Sequence, residues 1–257
     1  MSFKDHFSGH ADLYAKARPH YPDALFDWLA SAAPARDICW DAGCGSGQAS
    51  IALARRFGCV IATDPSARQI GNAEAKPNID YRVEPRNFSA GDGGGYRTSS
   101  DDRSVDAITV AQALHWFDLP AFVAEVQRVA KPGALFAAWC YANCNVSPAV
   151  DAVIAHLYDD TLGSYWPPER RLVDEGYASI ELPFTPVSIP TMELRVDWNA
   201  RQLLAYLTSW SAAQRYHKET GLDAIAAITD ELIAAWNDPD RVRPVRWRLA
   251  IRAGRVW

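Results

Sequence analysis

The chain has 257 residues, of which 49% are hydrophobic and 22% are charged, and its net charge at pH 7 is −5. This length can bury one large core, whereas the acidic balance disfavours nucleic-acid binding, which usually requires a basic face. No apolar run approaches the ~18 residues of a membrane span, no apolar signal region follows Met1, and the five cysteines form no C-x-x-C pair. We therefore expect a soluble cytoplasmic protein with no metal site and no nucleic-acid or membrane partner; the oligomeric state is left open.

Strands and helices alternate through the first half of the chain. Apolar periodicity predicts helices over 22–29, 49–54, 67–75 and 120–130, and strands over 38–40, 59–63, 79–83, 105–110 and 134–139. Such alternation is typical of a parallel sheet covered by helices on both faces, which binds ligands at the carboxyl ends of its strands. Between the third and fourth strands, residues 87–104 are rich in Gly, Ser and Asp and are predicted to be a flexible surface loop.

The second half is less regular. We expect helices over 149–162, 200–216 and 229–236, and strands over 193–198 and 246–252. In the last of these, arginines alternate with apolar residues, which indicates a strand with one solvated face.

The stretch 41–48, which reads D-A-G-C-G-S-G-Q, joins the first predicted strand to the next helix. A glycine-rich turn there allows the backbone to approach a nucleotide-like ligand closely, and Asp64, at the end of the second strand, suits a ribose diol. The dinucleotide pattern G-x-G-x-x-G is not met, since Gln48 stands at its third glycine position. Asp41 would repel a pyrophosphate but suits a cation, so the turn favours S-adenosylmethionine, which has an ammonium, a sulfonium and no phosphate.

The turn resembles motif I of the class I S-adenosylmethionine-dependent methyltransferases. Asp106, the run 112–117 (Q-A-L-H-W-F), the K-P-G at 131–133 and the N-terminal pattern Tyr14…R-P-x-Y-P are similar to the type-11 group, in particular to the trans-aconitate methyltransferases. The resemblance implies one α/β methyltransferase domain over 1–257, with a doubly wound, mostly parallel, seven-stranded Rossmann-like sheet whose last strand is antiparallel. It divides the chain into an N-terminal cap segment (1–34), a cofactor-binding core (35–140) and a substrate-cap region with the last strands (141–257).

The resemblance also implies roles for individual residues. Asp41 and the turn hold the methionine end of the cofactor, Asp64 holds its ribose, Pro65 and Ser66 lie against its adenine, and Gln112 and His115 lie beside its sulfonium. Tyr14 and Arg18 close over it. The group's acidic residue near the adenine amino group is displaced here, and either Glu84 or Asn87 takes its place. The full set of expected cofactor-binding residues is Tyr14, Arg18, Asp41, Gly43, Cys44, Gly45, Gly47, Asp64, Pro65, Ser66, Glu84, Gln112, Ala113 and His115.

These residues predict an S-adenosylmethionine-dependent methyltransferase that O-methylates a small carboxylic acid or hydroxyl metabolite. For a hydroxyl acceptor His115 is the expected catalytic base, whereas a carboxylate needs no base and would be held by Arg195 or Arg215. The expected substrate-binding residues are Trp116, Trp210, Arg215 and Tyr216. Alternative roles stay open: His115 and Trp116 as packing residues, 215–217 as a solvated helix end, and the chain as a non-catalytic nucleoside-binding protein or an NAD-dependent oxidoreductase.

Overall fold

The computed structural model describes residues 19–84 and 96–257, and a seven-stranded sheet lies at its centre. The strands of this sheet are β1 (Ile38–Ala42), β2 (Cys59–Asp64), β3 (Ile79–Val83), β4 (Val105–Ala111), β5 (Ala130–Cys140), β6 (Thr185–Pro186) and β9 (Ala250–Arg255). Two further strands, β7 (Glu193–Trp198) and β8 (Arg243–Arg248), form a separate antiparallel pair.

The strand order of the large sheet is β3-β2-β1-β4-β5-β9-β6. The first five of these run parallel, and β9 is antiparallel to both β5 and β6. This confirms the expected Rossmann-like sheet with its antiparallel last strand. The chain order reverses between β1 and β4, and the crevice at such a reversal is where open α/β sheets bind ligands.

Helices cover both faces of the sheet and build most of the region after β5. Those in the described residues are α1 (Asp23–Ala32), α2 (Gln48–Leu53), α3 (Ala67–Gly71), α4 (Leu119–Val129), α5 (Pro148–His156), α6 (Arg170–Asp174), α7 (Ala200–Thr208), α8 (Ser211–Thr220) and α9 (Ala224–Trp236). Side chains cap several of their amino ends: Asp118 accepts from Ala121 at α4, and Asp223 accepts from two backbone N–H groups at α9. Such caps satisfy N–H groups that have no partner within the helix.

Three predicted elements are interrupted. The helix expected over 200–216 is two helices, because α7 ends at Thr208 and the backbone is extended at Trp210, which directly precedes α8. The strand expected over 246–252 is two strands in different sheets. The strand pairing is interrupted at Leu249, which lies between the end of β8 and the beginning of β9. The helix expected over 149–162 ends at His156 and continues as a π-helical turn, Leu157–Thr161.

The predicted flexible loop is wrong for its second part, residues 96–104. Tyr96 is buried and its ring packs against Trp40, Phe117 and Phe122. Residues 85–95, which include the glycine run, lie outside the described residues.

Two clusters of buried apolar side chains pack helices against the two faces of the sheet. One packs α4 and the chain around Tyr177 against one face of the sheet. The other begins beneath α1 and α2 on the opposite face and continues without a break into α5, α7, α8 and α9. The region after β5 is thereby joined to the sheet by shared apolar packing. No helix of the described residues is both long and apolar enough to cross a membrane.

Candidate active site

The glycine turn between β1 and α2 has the left-handed backbone that glycine permits. Gly43 and Gly47 have φ values of +69° and +86°. A Cβ atom at Gly47 would lie 2.2 Å from the hydroxyl oxygen of Tyr81, and one at Gly43 would lie 2.8 Å from the Cβ of Ala113. Backbone N–H groups of Gly43 and Cys44 donate to the Thr63 carbonyl at the end of β2. Both the conformation and the close neighbours therefore require glycine at these positions.

Asp41 lies inside the protein between α2 and β4. Its side chain is fully buried, and its two carboxylate oxygens accept hydrogen bonds from Ser50 Oγ (2.6 Å) and Thr109 Oγ1 (3.1 Å). Burial raises the pKa of this carboxyl to about 6, against the smaller opposing effect of the two hydroxyl donors. The carboxylate thus ties the glycine turn to its neighbours, and it would act on a bound cation through its charge.

Asp64 ends β2 and organises the rim of the turn. One carboxylate oxygen accepts from the Gly45 backbone N–H (2.9 Å), and the other accepts from the Ser66 N–H (2.8 Å). The Ser66 hydroxyl in turn caps α3 by accepting from Gln69. Glu84 is close by, because its N–H donates to the Asp64 carbonyl, while its carboxylate accepts from Ser99 N–H (3.1 Å).

Two features of the turn fit a nucleoside with a cationic tail. A Cβ atom at Gly45 would meet nothing within 4 Å, so the turn faces open space at its middle. Next to Gly47, the buried hydroxyl oxygen of Tyr81 has no hydrogen-bond partner among the described residues, and burial raises the pKa of this tyrosine to about 12. Space, an unused hydroxyl and the acids Asp41 and Asp64 therefore lie at one edge of the sheet.

Gln112, at the carboxyl end of β4, has a positive φ of 56°. Its side-chain amide donates to the Tyr141 carbonyl (3.0 Å) and accepts from the Tyr141 N–H (2.9 Å). Its own N–H donates to the Trp139 carbonyl (2.8 Å). These three bonds hold a conformation that is unfavourable for a residue with a side chain, and they join the ends of β4 and β5.

His115 follows in a 3-10 turn, Leu114–Trp116. Its Nδ1 lies 2.9 Å from the hydroxyl oxygen of Tyr177, and its ring is half-buried beside Trp116. The structure thus brings His115 to the same sheet edge as the glycine turn, which Ala113 touches at Gly43.

Comparison with known proteins identifies this arrangement. A methyltransferase domain model of the type-11 family matches residues 40–138. A protein of Dictyostelium discoideum named as a methyltransferase is 34% identical over 242 residues, which cover 93% of this chain and 89% of that protein. The chain belongs to the S-adenosylmethionine-dependent methyltransferases.

Two further similarities support the family assignment. A solved structure from Anaeromyxobacter dehalogenans, named as a type II methyltransferase, is 46% identical and superposes with a TM-score of 0.83. The match covers 93% of this chain and 98% of that chain. A Saccharomyces cerevisiae protein named as S-adenosylmethionine-dependent is 30% identical over 132 residues, which span 50% of this chain and 44% of that protein. Because the chain belongs to this family, S-adenosylmethionine is its cofactor, and the oxidoreductase and non-catalytic alternatives are set aside.

Of the four expected substrate-binding residues, Trp116 lies beside His115 in the 3-10 turn after β4, and the other three lie in the region after β5. Trp210 is buried between Tyr158, Trp166 and Tyr206. Tyr216 packs on Tyr165. These contacts give both residues a place in the aromatic core of this region.

The two expected arginines lie at the surface. The Arg215 side chain is half-exposed and pairs with Glu219, and that of Arg195 is also exposed and pairs with Asp197. Each guanidinium thus already has an acidic partner within its own element. Of the other expected residues, Tyr14 and Arg18 lie outside the described residues, as does Asn87.

Two motif residues of the methyltransferase have structural partners. Asp106 is buried and accepts from the N–H groups of Asp37 and Ile38 and from Lys131 Nζ (2.7 Å), so it fastens the beginnings of β1, β4 and β5 together.

Two tyrosines near the site, Tyr81 and Tyr177, were not expected from the sequence. Tyr81 could have been sought at the end of the third strand, whereas Tyr177 carries no motif and lies 62 residues from its partner His115.

Proposed function

We propose that this methyltransferase transfers a methyl group to an oxygen atom of a small-molecule acceptor, and that the acceptor is a carboxylic acid. The observation that carries the proposal is the buried aromatic cover over the carboxyl ends of β4 and β5. A macromolecular acceptor would need an open face at this edge, whereas a small molecule can be enclosed.

The cover begins at Tyr141, directly after β5, which is 4% exposed and packs edge-on against Trp247 at 6.3 Å. Trp247 donates from its indole N–H to the Tyr206 hydroxyl (3.2 Å) and packs against Trp198. In the same layer, the indole N–H of the fully buried Trp139 has no acceptor among the described residues. This packing is mostly apolar, and it supports a small acceptor that is enclosed at this edge.

The cofactor would be held by the residues of the glycine turn and by Asp64, with Tyr81 beside them. When bound, it supplies a methyl group on a positively charged sulfur, which keeps the bonding electron pair and leaves as a neutral thioether. The protein then has to orient the acceptor and exclude water. The charge of Asp41 favours the cationic donor over its neutral product, and Gln112 keeps the ends of β4 and β5 in register around the reacting atoms.

A screen of acceptors tests the proposal. Purified protein is incubated with methyl-labelled S-adenosylmethionine and separate sets of carboxylic acids, phenols, aliphatic alcohols and amines, and label transfer is counted. We expect transfer to members of the acid set, and at least about tenfold less transfer with the Asp64→Asn variant when the cofactor is below saturation. Transfer confined to amines, or to a protein or nucleic-acid fraction added as a further arm, would contradict the proposal.

A further inference from the structure

Tyr177 is a buried tyrosine that the cofactor chemistry does not use. Its side chain is fully buried, and it follows Gly176 in a tight turn after α6. Both residues have positive φ values, 59° at Tyr177 and 61° at Gly176. The Tyr177 N–H donates to the Leu172 carbonyl, and its own carbonyl accepts from Ile180 N–H, so the turn is fixed from both sides. A bulky residue in this region of φ is an outlier, and such strain is concentrated at functional sites.

The phenol oxygen of Tyr177 lies at the beginning of the 3-10 turn that carries His115. The first N–H groups of a helical turn have no acceptor within the turn, and those of Leu114 and His115 are near enough to this oxygen to oppose the rise in the pKa of the phenol. A phenol donates a hydrogen bond more readily than it accepts one. Its hydroxyl proton is therefore what it offers in the 2.9 Å contact with His115 Nδ1.

Cys140 is a second side chain near this hydroxyl proton. The thiol of Cys140 is near the phenol, but sulfur is a weak acceptor, and the Cys140 S–H itself is directed to the Val173 carbonyl at 3.8 Å. Burial raises the pKa of Tyr177 well above its ordinary value, so the phenol keeps its proton. The unprotonated imidazole nitrogen is the stronger acceptor, and Tyr177 therefore donates to His115 Nδ1.

We propose that Tyr177 fixes neutral His115 in the tautomer that carries its proton on Nε2, so that this histidine is a hydrogen-bond donor toward the acceptor and not its catalytic base. Tyr177 is then a positioning residue. The inference rests on the proposed function and narrows it: an alcohol or phenol must lose a proton to become methylated, whereas a carboxylate forms the new bond with a lone pair that it already has. A donor at Nε2 suits a carboxylate oxygen.

The tautomer can be read directly by long-range ¹H–¹⁵N correlation spectra of the histidine rings, recorded on the full chain at pH 8, where neutral imidazole dominates. The spectra need neither cofactor nor acceptor, so their outcome is separate from that of the proposed function. The His115 signals are assigned by their loss in His115→Gln. We expect an unprotonated Nδ1 and a protonated Nε2 in the wild type; the opposite pattern, or an even mixture, would overturn the proposal.

Substitution of Tyr177 tests whether its hydroxyl group sets the tautomer of His115. In Tyr177→Phe the ring is kept and the donor is lost, so we expect a mixture of tautomers at His115. The matched control is Tyr158→Phe, which removes another buried phenol, bonded to Asp174 and Arg170, and which we expect to leave the His115 pattern unchanged. An unchanged pattern in Tyr177→Phe, or the same change in both variants, would overturn the role of Tyr177.

The kinetic consequence separates a donor from a base. Gln keeps an N–H near the position of Nε2 but cannot take up a proton. With the best acid of the acceptor screen, we expect His115→Gln to lower kcat/KM by about tenfold or less, the effect of a weakened hydrogen bond, and His115→Ala to lower it further. A loss of about 10²–10⁴-fold in His115→Gln, equal to that of His115→Ala, is the result of a missing base and would contradict the proposal.

Discussion

At the scale of single residues, the sequence predicted the position of the glycine turn but not the partners that hold it. The spacing of Gly43, Gly45 and Gly47 and the acids Asp41 and Asp64 follow from motif chemistry alone. The hydroxyl donors of Asp41 and the tyrosine behind His115 come from other elements, and no local pattern marks them. Such long-range contacts arise from tertiary packing, and no periodic pattern in a single sequence reveals them.

Asp41 makes the stability of the protein depend on pH. Burial raises the pKa of Asp41 to about 6 in the folded protein, so the folded state prefers the protonated carboxyl. The resulting contribution to the free energy of unfolding is present in full below about pH 4 and is lost as pH rises through about 6. The shift corresponds to about 3 kcal/mol at neutral pH. Asp41→Asn cannot lose this contribution, whereas the wild type does. The difference between their free energies of unfolding (variant minus wild type) should therefore increase by about 3 kcal/mol between pH 4 and pH 7.

Urea denaturation at several pH values measures this difference. Asp80→Asn is the control, since Asp80 is an exposed residue on β3 that pairs with Arg82, and its difference from the wild type should stay nearly constant. A difference for Asp41→Asn that does not change with pH would contradict the account.

At the scale of elements, periodicity located most strands and helices but not their breaks. Neither Trp210 nor Leu249 is a glycine or proline, and both are buried, so the apolar pattern runs through each break unaltered. Tertiary packing decides where the chain turns. Residues 96–104 show the same limit, because their polar composition indicates a free loop whereas a buried carboxylate fastens them to α4.

That carboxylate is Glu125, which is 3% exposed and accepts from Thr98 N–H (2.7 Å), Thr98 Oγ1 (2.8 Å) and Arg128. Although burial opposes ionisation, these donors lower the pKa of Glu125, so its contribution to stability is present at neutral pH and is lost as pH falls through its folded-state pKa. We expect Glu125→Gln to lower the free energy of unfolding by about 2–3 kcal/mol.

Chemical denaturation at pH 7 checks this value, and the deficit should shrink toward pH 3. Glu74→Gln, which breaks an exposed pair with Lys76, should cost less than about 0.5 kcal/mol. Equal effects of the two substitutions would show that residues 96–104 are not fastened by Glu125.

At the scale of the whole molecule, the sheet and the region after β5 share one apolar cluster. Trp247 on β8 lies where they meet, fully buried and in contact with Tyr141 and Tyr206. Since the two parts are joined by this packing, we expect them to unfold in a single transition. Trp247→Ala should lower the free energy of unfolding of the whole chain by about 3–5 kcal/mol.

Calorimetry and far-UV circular dichroism on the same samples follow this transition. Trp257→Ala removes a tryptophan that is 78% exposed and should have almost no effect. A separate early transition in Trp247→Ala, with the remaining transition at the wild-type temperature, would mean that the region after β5 is an independent unit.

The central claim is that the glycine turn and Asp64 hold the adenosyl cofactor, and isothermal titration with S-adenosylhomocysteine tests it most directly. We expect one site per chain in the wild type, unchanged binding in Asp80→Asn, and at least about tenfold weaker binding in Asp64→Asn, which loses charge-assisted hydrogen bonds. If the wild type bound no S-adenosylhomocysteine, or if Asp64→Asn bound it as tightly as the wild type, the account of the site would be wrong.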